Sequence, residues 1–299
     1  MRILTVCLNP TFQITMVHPF FTLGEVNRAR EHYEDISGKG MNTARVLHQL
    51  GYKSLLLTHL GGIRRDEHLA LAQEEHVKLL WADSKSEIRT CITVLGDGVT
   101  TELVQEPFAV DPSTEEPIKE LFTTALAEID AVIITGTRAG GYSADLYPSF
   151  VKEAKERGCF VLLDLKGDDV KNSLVYRPDI IKPNLSEFVD TFFGLSIGEH
   201  EMNSDLEERI KAKMKNIYTE YGTTTFLSRG KEASWIQSEH FFSLPSEPVK
   251  VVNTIGCGDT LSAVLTAKLA SGSSLEDAAK EAIYYAGVNA QMVRPGTIR

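Results

Sequence analysis

The segment Asn253-Thr-Ile-Gly-Cys-Gly-Asp259 sets two glycines and a carboxylate directly before an apolar run that begins at Leu261. The preceding residues 249–254 (VKVVNT) are rich in β-branched side chains and predict a strand. Leu261, Val264, Leu265 and Leu269 recur at i, i+3, i+4 and i+8, the spacing of an amphipathic helix. Gly256, Cys257 and Gly258 therefore form a strand-to-helix turn. Their successive N–H groups, at the positive end of a helix dipole, suit an anion. Asp259, in the first turn, is open to two readings: a helix cap, or a general base beside an anion site.

Four other stretches carry polar groups that could do chemistry. In SGKGMN (37–42), Gly38 and Gly40 let backbone come close to a ligand, while Lys39 and Asn42 supply donors at a helix start. In IIKPNLSEF (180–188), Asn184 and Glu187 stand three apart after a strand. That pair could hold Mg²⁺ through waters or simply cap a helix. Arg89 in a strand-like insert and Arg138 in the GTRAGG loop (136–141) are candidate anion contacts, with surface charge as the alternative for Arg89. No GxGxxG follows the first strand, and the Gly-Lys of 38–39 lacks the upstream glycine and following Ser/Thr of a P-loop. Dinucleotide-binding Rossmann and Walker-type readings are rejected.

The elements that must position these residues alternate. Apolar runs at 2–8, 54–60, 131–136, 159–165 and 179–183 are separated by helix-like segments at 40–51, 113–128, 143–158 and 205–222. Continuous apolar strands between helices indicate an α/β protein with a mostly parallel sheet covered on both faces. Ligands in such sheets sit beyond the carboxyl ends of the strands, where Gly136, Asp164 and Asn184 fall. Segments 12–36 and 87–106 instead show the two-residue period of exposed antiparallel strands, with Gly96-Asp97-Gly98 a hairpin turn. They predict a small sheet standing off the body, as a lid, a dimerisation surface or edge decoration.

Composition narrows the class. With 299 residues, 42% hydrophobic and 24% charged, the chain can bury one large domain, alone or with a small accessory unit. A net charge of −10 argues against a nucleic-acid partner but leaves room for a phosphorylated substrate, which needs only local donors. No apolar run approaches the roughly 20 residues of a membrane span, and the N-terminal run is too short for a signal peptide. Cys7, Cys91, Cys159 and Cys257 lack metal spacing and read as reduced thiols of a cytoplasmic protein.

Taken together and in order, the motifs resemble those of the PfkB (ribokinase-like) carbohydrate kinases. The branch they resemble contains 1-phosphofructokinase, tagatose-6-phosphate kinase and the minor phosphofructokinase. SGKGMNTARVLHQLG is similar to its Gly-Gly-Lys-Gly-x-Asn-x-Ala signature, IIKPNLSE to its Lys-Pro-Asn-x-x-Glu element, and NTIGCGDTLSAVL to its Thr-x-Gly-Ala-Gly-Asp signature. TVCLNPTFQIT and LGEVNRAR resemble its first strand and a lid segment. The resemblance runs from about residue 3 to 299. It implies one domain over 1–299, a three-layer αβα sandwich with a β-sheet lid at about 12–36 and 87–106, and often a homodimer through the lid.

It also implies ATP-dependent phosphorylation of a sugar phosphate, with fructose 1-phosphate the leading acceptor. Tagatose 6-phosphate, fructose 6-phosphate, another sugar or a nucleoside are alternatives. Asp259 would be the general base, and Gly256, Cys257 and Gly258 the anion hole. Gln13, Gly38, Lys39, Asn42, Arg89 and Arg138 would bind the acceptor. Lys182, Asn184, Ser228, Gly230, Ala286 and Asn289 would bind ATP, with Asn184 and Glu187 organising Mg²⁺. Relatives often bind a monovalent cation such as K⁺ near Asn253 and Ile255. The chain departs from the pattern mainly on the sugar side: Gln13 stands where the branch usually has an Asp, Ser37 replaces a glycine, and GTRAGG and Asp164-Leu-Lys166 replace other segments. Cys257 is the one departure on the phosphoryl side. A non-catalytic binding relative is the different-class rival, opposed by the retained Asp259 and glycine loop.

Overall fold

The computed structural model describes residues 1–196 and 202–299. The chain begins with β1 (Arg2–Val6), β2 (Thr11–Val17), β3 (Glu31–Ser37), α1 (Lys39–Gln49), β4 (Lys53–Leu60), α2 (Arg65–Glu74) and β5 (Lys78–Asp83). It continues through β6 (Arg89–Gly96), β7 (Val99–Leu103), α3 (Glu115–Ala125), β8 (Ala131–Thr135), α4 (Leu146–Glu156), β9 (Phe160–Asp164) and α5 (Asp168–Ser173). The last third holds β10 (Ile180–Ile181), α6 (Leu185–Phe193), α7 (Ser204–Tyr221), β11 (Thr224–Leu227), β12 (Ser234–Gln237), β13 (Phe241–Leu244), α8 (Cys257–Ala270) and α9 (Leu275–Ala290).

Nine strands form one sheet in the order β13-β12-β11-β10-β9-β8-β1-β4-β5. The strands from β5 to β11 in that order run parallel; β12 and β13 close the far edge antiparallel. Because side chains alternate along a strand, each unbroken apolar run feeds two cores. Leu4, Val6, Val132, Ile134, Val161 and Leu163 pack on one face against α3, α4, α6 and α7. Ile3, Ile133 and Leu162 pack on the other against α1, α8 and α9. This is the three-layer αβα sandwich. The order reverses at β1, whose neighbours are β4 and β8, so a crevice opens beyond the carboxyl ends of β1 and β8.

A second, four-stranded sheet has the order β3-β2-β6-β7. β6 and β7 turn at Asp97-Gly98, both with positive φ, the two-residue turn that matches strand twist. Two features differ from exposed antiparallel strands. The central pair, β2 and β6, is parallel, since both strands leave the same end of the main sheet after β1 and β5. One of its faces is also closed to solvent: Gln13, Thr15 and Thr93 are buried.

Two expectations around the glycine loop are corrected. Residues 249–254 form no strand. Their β-branched side chains find no open sheet edge, and the N–H groups of Val252 and Asn253 bond instead to the carbonyl of Ala290 at the end of α9. Helix α8 is not amphipathic, because Asp259 through Ala267 are all buried. It is sandwiched between α1, α9 and the sheet, and two of its polar side chains are absorbed by back-bonding. Thr260 Oγ1 donates to the Gly256 carbonyl and Ser262 Oγ to that of Gly258.

Candidate active site

Helix α8 starts without a side-chain cap, at Gly256 with φ +85°. The N–H groups of its first turn are therefore available to an anion, as a helix N-terminus leaves them. Of the three expected donors, Cys257 N–H is shared with the Thr254 carbonyl at 3.4 Å. A Cβ on Gly256 would lie 2.7 Å from the backbone nitrogen of Gly296, so glycine is needed both for the turn and for the approach of the C-terminal segment. At Gly258, an added Cβ would stand 3.6 Å from Lys182 Nζ, which places that ammonium at the mouth of the loop.

The loop is braced from behind. Asn253 Nδ2 donates to the Val293 carbonyl, and its Oδ1 accepts from Ile255 N–H. Asn289 is fully buried: Nδ2 donates to the Ile255 carbonyl and Cys257 Sγ, and Oδ1 accepts from Gly296 N–H. The side chain is spent on holding the loop, a role that the sequence did not show. Ala286, one helical turn earlier on α9, is half-buried. Burial pushes the Cys257 thiol up to about 11, so it stays protonated at neutral pH.

Asp259 lies one helical position beyond the loop, 5% exposed, and accepts 2.8 Å from Asn42 Nδ2 on α1. Around it stand two ammoniums and two further carboxylates. Lys39 Nζ is 3.1 Å from Asp164 and 3.3 Å from Glu187; Lys182 Nζ is 3.5 Å from Asp164. Asp164 also accepts from the Thr135 hydroxyl, with Ser262 Oγ 3.3 Å away. Burial raises the Asp259 pKa to about 6; Lys39 pulls it down and Asp164 pushes it up. Burial also works against Asp164, but Lys182 and Lys39 hold it below the ordinary carboxylate range. The Lys39 ammonium, against the cost of burial, is held above its ordinary value by Asp164, Glu187 and Asp259. The site thus keeps one carboxylate poised to exchange a proton near neutrality and another firmly ionised.

The remaining sequence-predicted residues surround this centre. Asn184 and Glu187 form a complete capping box at the start of α6, and Glu187 also faces Lys39. Ser228 bridges to Asn184, and its carbonyl accepts from Leu185 N–H; Gly230 follows in the turn toward β12. Gly38 is the N-cap of α1. Gly40 proves to be a packing residue, since a Cβ there would lie 2.2 Å from Cys7 Cβ and 2.9 Å from Leu56. On the lid, Gln13 Nε2 donates to Thr93 Oγ1 at 2.9 Å. Arg89, at the start of β6, reaches the Gln105 carbonyl, and its buried Nε has no partner among the described residues. Arg138 is tied to Asp169 at 3.1 Å and to the Tyr142 carbonyl, so part of its charge is already matched. Asp164 falls at the strand end where the sequence located it, and the structure adds the role that the sequence did not assign, as partner of both lysines.

The chain is 27% identical over 299 residues to a tagatose-6-phosphate kinase of Staphylococcus epidermidis, covering 99% of this chain and 94% of the relative. The fold superposes on a point mutant of phosphofructokinase-2 of Escherichia coli with a TM-score of 0.83 at 20% identity, over 98% of this chain and 94% of that one. A possible 1-phosphofructokinase of Thermotoga maritima gives a TM-score of 0.87 at 18% identity, over 100% and 94%. The family model of the pfkB carbohydrate kinases matches residues 8–298, and the chain belongs to that family of phosphotransferases.

Proposed function

We propose that the chain transfers the γ-phosphoryl group of ATP to a hydroxyl of a ketohexose that already carries a phosphate, with fructose 1-phosphate giving fructose 1,6-bisphosphate as the leading reaction. The observation that carries this reading is Asp259: a buried carboxylate with a pKa near 6, beside an uncapped helix N-terminus and two lysines. In this reading Asp259 takes the acceptor's hydroxyl proton as that oxygen attacks the γ-phosphorus, and the bond from phosphorus to the ADP oxygen breaks. First-turn N–H groups, Lys39 and Lys182 stabilise the charge on the moving phosphoryl group. Lys39, Arg89 and Asn42 suit an acceptor that brings its own phosphate. Tagatose 6-phosphate is the second reading, supported by the 27% identity to a kinase of that name.

The described residues contain no group of three or more His, Cys, Asp or Glu side chains able to hold a metal ion. Mg²⁺ would therefore arrive with ATP and keep waters, which fits Asn184 and Glu187: each already accepts hydrogen bonds and would reach the ion through water. When bound, Mg²⁺ would offset charge on the phosphates. The Asn253 side chain is committed, so a monovalent cation near Ile255 would take backbone carbonyls.

An ADP-release assay over fructose 1-phosphate, tagatose 6-phosphate, fructose 6-phosphate and unphosphorylated sugars tests the proposal, run in K⁺ and in tetramethylammonium salts. The expected result is turnover on a ketohexose phosphate at least about tenfold above any free sugar. ATP binding without turnover on the whole panel would return the chain to the non-catalytic reading. The lid also exposes Val99 and Leu103 on β7, and Phe20, Leu23 and Val26 in the β2–β3 connection. These support a homodimer through the lid. Sedimentation velocity should give a dimer that Leu23→Glu with Val99→Glu converts to monomer; a wild-type monomer at micromolar concentration rejects it.

A further inference from the structure

Asn42 is the only side chain hydrogen-bonded to Asp259 among the described residues, and its amide has two ends that must be told apart. Nδ2 donates to Asp259 Oδ2 at 2.8 Å. Oδ1 accepts from Ser37 Oγ at 3.0 Å and from Arg45 Nη1 at 3.1 Å. A guanidinium cannot accept a hydrogen bond. Turning the amide over would set its N–H₂ against Arg45 and its carbonyl against the Asp259 carboxylate, leaving two repulsive contacts in a buried site.

We propose that Ser37 and Arg45 act as a clamp that fixes the Asn42 amide with its donor end on Asp259, making both of them positioning residues for the base. The inference rests on the kinase reading of the site.

Arg45 is itself held by its other hydrogen bonds. Nε and Nη2 form a two-pronged pair with Glu75 at 2.7 and 3.2 Å, Nη1 donates to the Pro295 carbonyl, and Nη2 to the Ile36 carbonyl. Glu75 is paired with Arg294, which also holds Asp35 on β3 at 2.7 Å. The clamp thus gathers the end of the lid strand β3, the end of α2 and the C-terminal segment onto one amide. Ser37 is the last residue of β3 and stands where the resembled signature usually has glycine. Asp259 is otherwise faced by Lys39 from α1, Asp164 from β9, Lys182 after β10, Cys7 after β1 and Cys257 in its own loop, with Glu187 of α6 behind Lys39. None of these donates a hydrogen bond to it, so Asn42 supplies the hydrogen bond that favours its ionised form, beside the larger pull of the Lys39 ammonium and the smaller one of Lys182.

The test is the pH profile of kcat/KM with the best acceptor from the panel. In Arg45→Met the acid limb should rise by about one pH unit, and in Ser37→Gly by about half a unit. The KM for ATP should stay within about twofold, and Arg45→Lys should recover part of the shift. A limb that stays at the wild-type position in both folded variants overturns the clamp. Should Arg45→Met fail to fold, Ser37→Gly, which restores the family's residue, decides alone. If the wild type turns over nothing, the kinase reading fails by itself. The clamp is then judged by carbon-13 carboxyl NMR of labelled aspartate, the Asp259 signal assigned with Asp259→Asn. Titration of that signal at the same pH in wild type and Ser37→Gly overturns it.

Discussion

Asp259→Asn should lower kcat about a thousandfold while a non-hydrolysable ATP analogue still binds within about twofold, as read by steady-state kinetics and calorimetry. General-base catalysis contributes roughly 10²–10⁴ in rate, and an amide cannot take the proton. Its Oδ1 can still accept from Asn42, so the geometry survives. Wild-type kcat/KM should fall on the acid side with a limb near pH 6, where Asp259 becomes protonated. The same substitution has a second, opposite consequence. Burial raises the folded-state pKa above the ordinary 3.8, so between about pH 4 and 6 the folded protein binds more protons than the unfolded chain. Stability is then greatest below that window and falls as pH rises through it. Above pH 6 the ionised Asp259 costs about 2–3 kcal/mol, a cost the neutral Asn does not carry. The variant should therefore melt higher than wild type at pH 7.5 and at nearly the same temperature at pH 4. Equal melting at both pH values would contradict the raised pKa, and retained kcat would remove Asp259 from the base role.

A site that is destabilised at its working pH is consistent with a base held in place by the rest of the fold. The charges that surround Asp259 come from four element ends: Lys39 at the start of α1, Asp164 at the end of β9, Lys182 after β10 and Glu187 in the first turn of α6. Each is positioned by a strand or helix whose apolar face is already committed to one of the two cores. Reorganising any of them means moving a packed layer, and that rigidity is what electrostatic stabilisation of phosphoryl transfer requires.

The layers were readable because their signal is local. Unbroken apolar runs such as AVIIT and FVLLD say that both faces are covered, and the order of strands and helices follows. Asn184 with Glu187, and the glycines before Asp259, were readable for the same reason: a cap or a turn is written within four residues. What escaped depends on partners far away in the chain. The strand-end place of Asp164 was legible, but its role runs through Lys39, 125 residues earlier. Asn289 becomes a brace through Ile255, 34 residues earlier. The amphipathic reading of α8 counted only its leucines and valine, whereas Thr260, Ser262 and Ala263 are as buried as they are. Residues 249–254 have strand propensity, but propensity creates no neighbour to pair with.

The C-terminal segment supplies the second large effect. Gly256→Ala should cost about 2–4 kcal/mol of stability and lower kcat/KM by about 10³. Two separate penalties meet there. The residue sits at φ +85°, a conformation that alanine adopts only under strain. Its Cβ would also lie 2.7 Å from Gly296 N and 3.2 Å from Asn289 Oδ1, the two atoms of one hydrogen bond that locks the C-terminal segment onto α9. The contacted atoms are backbone and a buried, fully bonded amide, so neither can yield cheaply. Relief would have to come from the loop itself, which would move the first-turn N–H groups away from the position of the transferring phosphoryl group. Those donors act through distance, and displacement of one such donor costs about 10²–10³ in rate. Thermal melting and steady-state kinetics on the same preparation separate the two penalties. Ser274→Ala, which removes the N-cap of α9 far from the loop, should reproduce part of the stability loss with kcat/KM nearly intact. If Gly256→Ala melts lower yet keeps full kcat/KM, the loop is a hinge for the C-terminal segment and not the anion site.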